Sequence, residues 1–262
     1  MALQAILDDL ARYLEYTIDE GVREVEVHPE SVGGLDRITI RGSARPPASP
    51  APRAAAPVSR SASSDPSAAD LATIAKTIAL CTKCPLHKTR TWTVPGQGAP
   101  APEIMFIGEA PGESEDAQGL AFVGRAGQLL TKMIQAMGYT REEVFIGNIL
   151  KCRPPENRTP LPDEIEICLP YLKAQLALLK PKVIVALGAT AVRGLLNIDV
   201  GITRLRGKWL SYEGIDLMPT FHPSYLLRNP AAKKDAWDDL KTVLERIGRT
   251  PPPMKKQATA AE

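Results

Sequence analysis

Four cysteines occur in 262 residues, and their spacing is uneven: Cys81 and Cys84 form a C-x-x-C pair, whereas fifteen residues separate Cys152 from Cys168. A two-residue gap lets both thiolates of the first pair grip one metal centre, and four thiolates with none to spare suit zinc or a four-iron cluster. The second pair lacks the C-x-x-C knuckle of zinc ribbons, so spacing alone leaves both metals open. A second chemical constellation lies in three short segments. Gly108-Glu109-Ala110-Pro111-Gly112-Glu113-Ser114-Glu115-Asp116 combines small residues, a proline and carboxylates. It lacks the Gly-Lys-Ser/Thr ending of a phosphate loop, and its acids favour a neutral ligand or a developing cation over a phosphate. Gly119-Leu120-Ala121-Phe122-Val123-Gly124 follows, where Phe122, one of only four phenylalanines, is placed to stack on a flat ring.

Asn148 carries both donor and acceptor and can read an amide edge. Beyond it, Lys151-Cys152-Arg153-Pro154-Pro155-Glu156-Asn157-Arg158-Thr159-Pro160 forms a basic, proline-rich loop in which Arg153 and Arg158 can meet a phosphate backbone. The third segment is Phe221-His222-Pro223-Ser224-Tyr225-Leu226-Leu227-Arg228. A lone histidine is usually structural, but one at a strand end stands where ligands bind. Leu226 and Leu227, beside Arg228, can wedge into a base stack or pack inward as a helical turn.

The elements that must hold these residues read as repeated β–α units. Apolar runs at Ile104–Ile107, Val144–Ile149, Val183–Leu187 and Ile215–Met218 predict buried strands. Helical periodicity occupies 126–137, 162–179, 189–196 and 231–247, and an apolar helix with Leu71, Ile74 and Ile78 leads into Cys81. This order implies an α/β domain whose parallel sheet carries helices on both faces. Ligands in such sheets sit beyond the carboxyl ends of the strands, which selects Gly108–Gly112, Asn148–Arg153 and His222–Ser224.

The rest of the chain divides by composition. Residues 1–42 read as a small module, with Leu3, Ile6, Leu7, Leu10, Leu14 and Ile18 at helical spacing and two alternating pairs, Val25/Val27 and Ile38/Ile40, around Gly33-Gly34 as a hairpin. Residues 43–69 hold 22 Ala, Ser or Pro in 27 positions, a composition that predicts a disordered linker. The domain is expected over 70–249, with a disordered tail at 250–262. Residues 1–37 carry nine acidic and three basic side chains, so a chain of net charge +2 keeps +8 in the remainder. That balance fits a polyanionic partner without demanding one. There is no apolar stretch long enough to span a membrane and no secretory leader pattern, so a cytoplasmic protein in a reducing compartment is expected and disulfides are not.

Taken together, G-E-A-P-G-E-x-E-D, F-V-G-x-A-G, N-x-x-K-C-R-P-P-x-N-R-x-P and H-P-S-Y-L-L-R, in this order behind a C-x-x-C, resemble the family 4 uracil-DNA glycosylases over roughly residues 70–248. The resemblance implies a three-layer fold around a four-stranded parallel sheet. It implies a [4Fe–4S] cluster on Cys81, Cys84, Cys152 and Cys168, and removal of uracil from single- or double-stranded DNA to leave an abasic site for base excision repair. It assigns Glu109, Asn148 and His222 to catalysis, with Gly108, Ala110, Glu115 and Phe122 completing the uracil pocket. Arg153, Arg158, Ser224, Leu226, Leu227 and Arg228 would contact DNA. Two departures matter. Family 1 relatives have an aspartate where this chain has Ala110, so Glu109 or Glu115 would position the water. Residues 151–161 contain no histidine, unlike relatives that cross-link to DNA, so turnover is expected. Other deaminated bases such as hypoxanthine or xanthine are alternative substrates, and a non-catalytic iron–sulfur DNA-binding protein or a zinc-stabilised interaction protein are alternative readings. A monomer is expected, with a protein partner for the N-terminal module.

Overall fold

The computed structural model describes residues 70–252; the module expected at 1–42, the linker at 43–69 and the last ten residues of the tail lie outside them. The described chain has six strands: β1 (Gln97–Gly98), β2 (Ile104–Gly108), β3 (Phe145–Asn148), β4 (Val183–Leu187), β5 (Leu210–Tyr212) and β6 (Ile215–Thr220). Eight helices accompany them: α1 (Leu71–Ala79), α2 (Glu113–Gln118), α3 (Arg125–Ala136), α4 (Pro162–Leu179), α5 (Ala189–Leu196), α6 (Ile202–Leu205), α7 (Pro223–Arg228) and α8 (Lys233–Arg246). The sheet order is β1-β3-β2-β4-β6-β5. Its four central strands are parallel, as the sequence predicts, and β1 and β5 extend it as short antiparallel edges. Two- and three-residue strands are too short to leave a periodic signal, which is why the sequence does not reveal them.

Alternation along the central strands divides their side chains between two cores. Ile104, Phe106, Ile146, Val183 and Val185 pack with Leu130 and Ile134 of α3 and with Leu240, Val243 and Leu244 of α8. Met105, Ile107, Ile184 and Ala186 pack on the other face with Leu172 and Leu176 of α4 and with Val192 of α5. The chain leaves β2 for β3 on one side and returns past it to β4 on the other, so the strand order reverses beside β2. At such a reversal the connecting loops part beyond the carboxyl ends and leave a crevice.

The acidic stretch after Pro111 forms α2, a helix that apolar spacing does not predict. Six residues are too few for helical periodicity to show. Its buried Asp116 accepts from the Thr91 amide with both oxygens at 3.0 Å, tying α2 to the loop that follows the cysteine pair. Behind β6, buried Asp239 of α8 accepts from Thr220 Oγ1 at 2.7 Å and from both Nε and Nη2 of Arg206. That network holds the strand end from which His222 follows. Among the described residues, no helix is long and apolar enough to cross a membrane.

Candidate active site

Loops after β2, β3, β4 and β6 enclose a cleft of about 1100 Å³, measured out to its open mouth. Glu109, Ala110 and Glu115 line it from the first loop, Phe122 from the turn beyond α2, Asn148 from the end of β3, and His222, Ser224 and Arg228 from the segment after β6. The structure therefore brings three sequence segments, more than 110 positions apart at their extremes, to one place.

Asn148 is 1 % exposed, and its Oδ1 is buried without a hydrogen-bond partner among the described residues. A buried acceptor left unpaired costs about 1–3 kcal/mol, a cost that a ligand N–H would remove. Gly108 stands behind this wall: a Cβ there would lie 2.5 Å from both Asn148 Oδ1 and Phe122 Cζ. It makes room for the two side chains and is not itself among the residues that line the cleft.

Phe122 adopts a left-handed backbone conformation, φ 53°. The turn is held by Glu115, whose Oε1 accepts from the amides of Val123 and Gly124, each at 2.9 Å. Glu115 thus clamps the loop that presents Phe122 as well as lining the cleft. The Phe122 ring tilts toward the His222 ring, with centroids 5.8 Å apart.

The Ser224 amide donates to His222 Nδ1 at 3.1 Å. An accepting Nδ1 leaves the imidazole proton on Nε2, which makes the neutral ring a donor from its other side. Burial, aided by the Arg228 charge, lowers the His222 pKa to about 4, so the ring is neutral at pH 7. Gly188, at φ 89°, allows this packing: a Cβ there would meet His222 Cβ at 3.1 Å. Gly188, Ala189 and Thr190 also line the cleft, and the sequence reading did not select them. The signal was present, because they follow the third central strand at its carboxyl end.

The expected DNA-contacting residues are placed unevenly. Leu226 is 1 % exposed and packs in the core beneath the sheet, so it does not reach out as a wedge; a helical turn packing inward describes it. Leu227 beside it is exposed. Arg153 lies outside the cleft lining, where its Nε donates to Asn157 Oδ1 at 2.8 Å. Arg158 lines the cleft but donates through two nitrogens to Glu164, at 2.9 and 2.6 Å. Burial opposes the Glu164 charge, yet Arg158 and the Leu161 amide outweigh it and hold that carboxyl below its ordinary range. The pair anchors the proline-rich loop to the start of α4.

Next to the cleft, Cys81, Cys84, Cys152 and Cys168 line a second cavity with Arg90, Lys151 and Tyr171. Among the described residues, no group of three or more His, Cys, Asp or Glu side chains is gathered as a site for a metal ion. Donors nevertheless point at the sulfurs: Arg90 Nη1 lies 3.1 Å from Cys152 Sγ, and the Lys151 amide 3.3 Å from Cys168 Sγ. Burial pushes the Cys168 thiol up to about 12 and raises Cys152 and Cys84, so as bare thiols these three stay protonated at neutral pH. Thiols so placed ionise more readily beside an added positive charge.

Residues 95–241 match the model of the uracil DNA glycosylase superfamily. A type-4 uracil-DNA glycosylase of Thermotoga maritima is 50% identical over 160 residues, which are 60% of this chain and 82% of that protein. One from Archaeoglobus fulgidus is 42% identical over 187 residues, covering 68% and 94% respectively. One from Sulfurisphaera tokodaii is 47% identical over 175 residues, covering 63% and 79%.

Proposed function

Since the chain belongs to the type-4 uracil-DNA glycosylases of the uracil DNA glycosylase superfamily, we propose that its cleft receives a uracil flipped out of DNA and that its residues promote hydrolysis of the N-glycosidic bond, leaving an abasic site for base excision repair. The observation that carries this reading is the buried, unpartnered Asn148 Oδ1 in a cleft that also presents Phe122 and the Nε2 proton of His222. Uracil offers an N–H beside a carbonyl and so answers both ends of the Asn148 amide; cytosine offers the reverse pattern. Phe122 stacks on the ring. Extraction of the base costs a few kcal/mol, offset by these contacts and least at mismatches or in single strands.

Departure of the base puts negative charge on its oxygens and positive charge on the sugar. His222 donates through Nε2 to the oxygen beside the breaking bond, and it does so neutral, with no proton to gain first. Removal of one such donor costs on the order of 10²–10³ in rate. Glu109, which lines the cleft, sets a carboxylate beside the sugar and orients the water that captures it. Glu115 Oε1 accepts from two amides and holds the turn that presents Phe122.

Cys81, Cys84, Cys152 and Cys168 would hold a [4Fe–4S] cluster, which would supply a covalent cross-link between the loop after α1, the loop after β3 and α4. A multi-atom cluster spaces its thiolates more widely than one zinc ion does, and this suits four thiols that line a cavity without converging on a point. Arg90 and the Lys151 amide offset the negative charge of such a group.

The deciding experiment uses an oligonucleotide with a single uracil, alkali treatment and a readout of strand cleavage, beside oligonucleotides with hypoxanthine or xanthine. Cleavage at uracil by the wild type, reduced on the order of 10²-fold or more in Asn148→Ala and His222→Ala, is the expected result. Iron-loaded protein that leaves uracil intact would overturn the reading, and cleavage confined to another base would reassign the substrate.

A further inference from the structure

Lys151 is as deeply buried as the core aliphatics, at 1 % exposure, and the proposed chemistry does not use it. Burying an ammonium-bearing side chain is unfavourable unless its hydrogen bonds are met, and here they are directed. Its Nζ donates to the backbone oxygen of Asn148 and to Gln175 Oε1, each at 2.8 Å. Gln175 Nε2 in turn donates to Pro95 O at 2.7 Å, and the Val94 amide donates to Lys151 O at 2.8 Å. One residue thus joins the end of β3, α4 and the segment that leads into β1.

The sheet explains why a side chain is needed. On one edge of β3, the Ile149 and Leu150 amides continue the pairing with β2 by donating to Gly108 O and Glu109 O. On the other edge, β1 pairs only with Phe145 and Ile146. Past Ile146 no strand among the described residues lies beside β3, so the Asn148 carbonyl has no ladder acceptor bond on that edge, and its peptide is held by the ladder only on the side of the Ile149 amide. Lys151 Nζ takes the place of the missing ladder donor. The orientation of this peptide sets the direction of the Asn148 side chain, whose amide faces the cleft.

We infer that Lys151, buttressed by Gln175, is a positioning residue that holds Asn148 in register with the base. The inference rests on the reading of Asn148 as the group that meets uracil. Of the two residues, only Asn148 touches the ligand; Lys151 acts behind it, through the backbone.

The test is a double-mutant cycle on iron-loaded protein, with Lys151→Met, Asn148→Ala and the pair. Single-turnover excision, inhibition by free uracil and affinity for abasic-site DNA are measured for each. Lys151→Met is expected to lower the excision rate on the order of 10-fold to 100-fold and to weaken free-uracil inhibition in parallel, with DNA affinity unchanged. In the Asn148→Ala background the same change should alter the rate by less than about two-fold, because the group it positions is already gone. Equal losses in both backgrounds, a wild-type rate, or a loss confined to DNA affinity would each overturn the inference. If Lys151→Met does not fold, Gln175→Met decides by the same criteria, since it removes one acceptor of Nζ and leaves the lysine and every cysteine in place. Wild-type protein that fails to excise uracil would strike the function itself; an active wild type, an impaired Asn148→Ala and an unaffected Lys151→Met would strike only the role of Lys151.

Discussion

His222 and Asn148 meet the cleft with opposite needs, one offering a proton from Nε2 and the other holding an unpaired acceptor. Types and spacing made both candidates in the sequence; what could not be read there is their state. The Ser224 amide fixes which nitrogen of His222 accepts, and burial with Arg228 keeps the ring neutral. Neither follows from the letters H-P-S. An ordinary histidine protonates near pH 6.5, whereas His222 does so near 4. Protonation of His222 should therefore leave kcat/KM level between pH 7 and 5, and Arg228→Gln should move the acidic limb upward. A wild-type limb at pH 6.5 that disappears in His222→Gln would contradict this. Stability has a matching sign. Because the folded pKa lies below the unfolded one, the unfolded chain takes up the proton first. The contribution of neutral His222 is therefore complete above about pH 6.5 and lost as pH falls toward 4. Thermal melting across that window should slope less in His222→Gln than in the wild type. Leu226 shows the opposite limit of reading by type: a wedge and an inward-packing helical turn were both open to it, and only the helix register turned it into the core.

At the scale of elements, long periodic segments were legible and short ones were not. The four central strands and α1, α3, α4, α5 and α8 follow from apolar spacing, whereas β1, β5 and α2 are too short to show a period. The cleft was legible in outline because strand ends were, although the end of β4, with Gly188 and Thr190, was passed over. The cysteine cavity draws on three elements, with Cys81 and Cys84 after α1, Cys152 after β3 and Cys168 within α4. It also has its own small apolar core of Ile74, Ile78, Leu86, Leu150 and Tyr171. A metal group bound there ties its binding energy to folding. Cys152→Ser is expected to lose the brown absorbance and bound iron and to be destabilised by on the order of several kcal/mol, read by absorption, iron assay and thermal melting. A stable, active, colourless variant would remove the cluster from the account.

For the whole molecule, every described residue that lines the cleft falls between Glu109 and Arg228. Deletion of residues 1–69 should leave kcat/KM on a uracil oligonucleotide within about two-fold of the full chain, as expected for independent parts. A larger loss would assign that segment a part in DNA engagement. The division at 43–69 is an expectation from composition, and residues 1–69 lie outside the described chain. The four thiols have one further consequence. All of them precede β4, while the His222 wall follows β6. In a chain made from its N-terminus, domain parts emerge in order at about 5–20 residues per second. The thiol set is therefore complete some fifty residues before the histidine exists. On the proposed reading, an inorganic centre held by these thiols could be installed on a half-made, catalytically silent body.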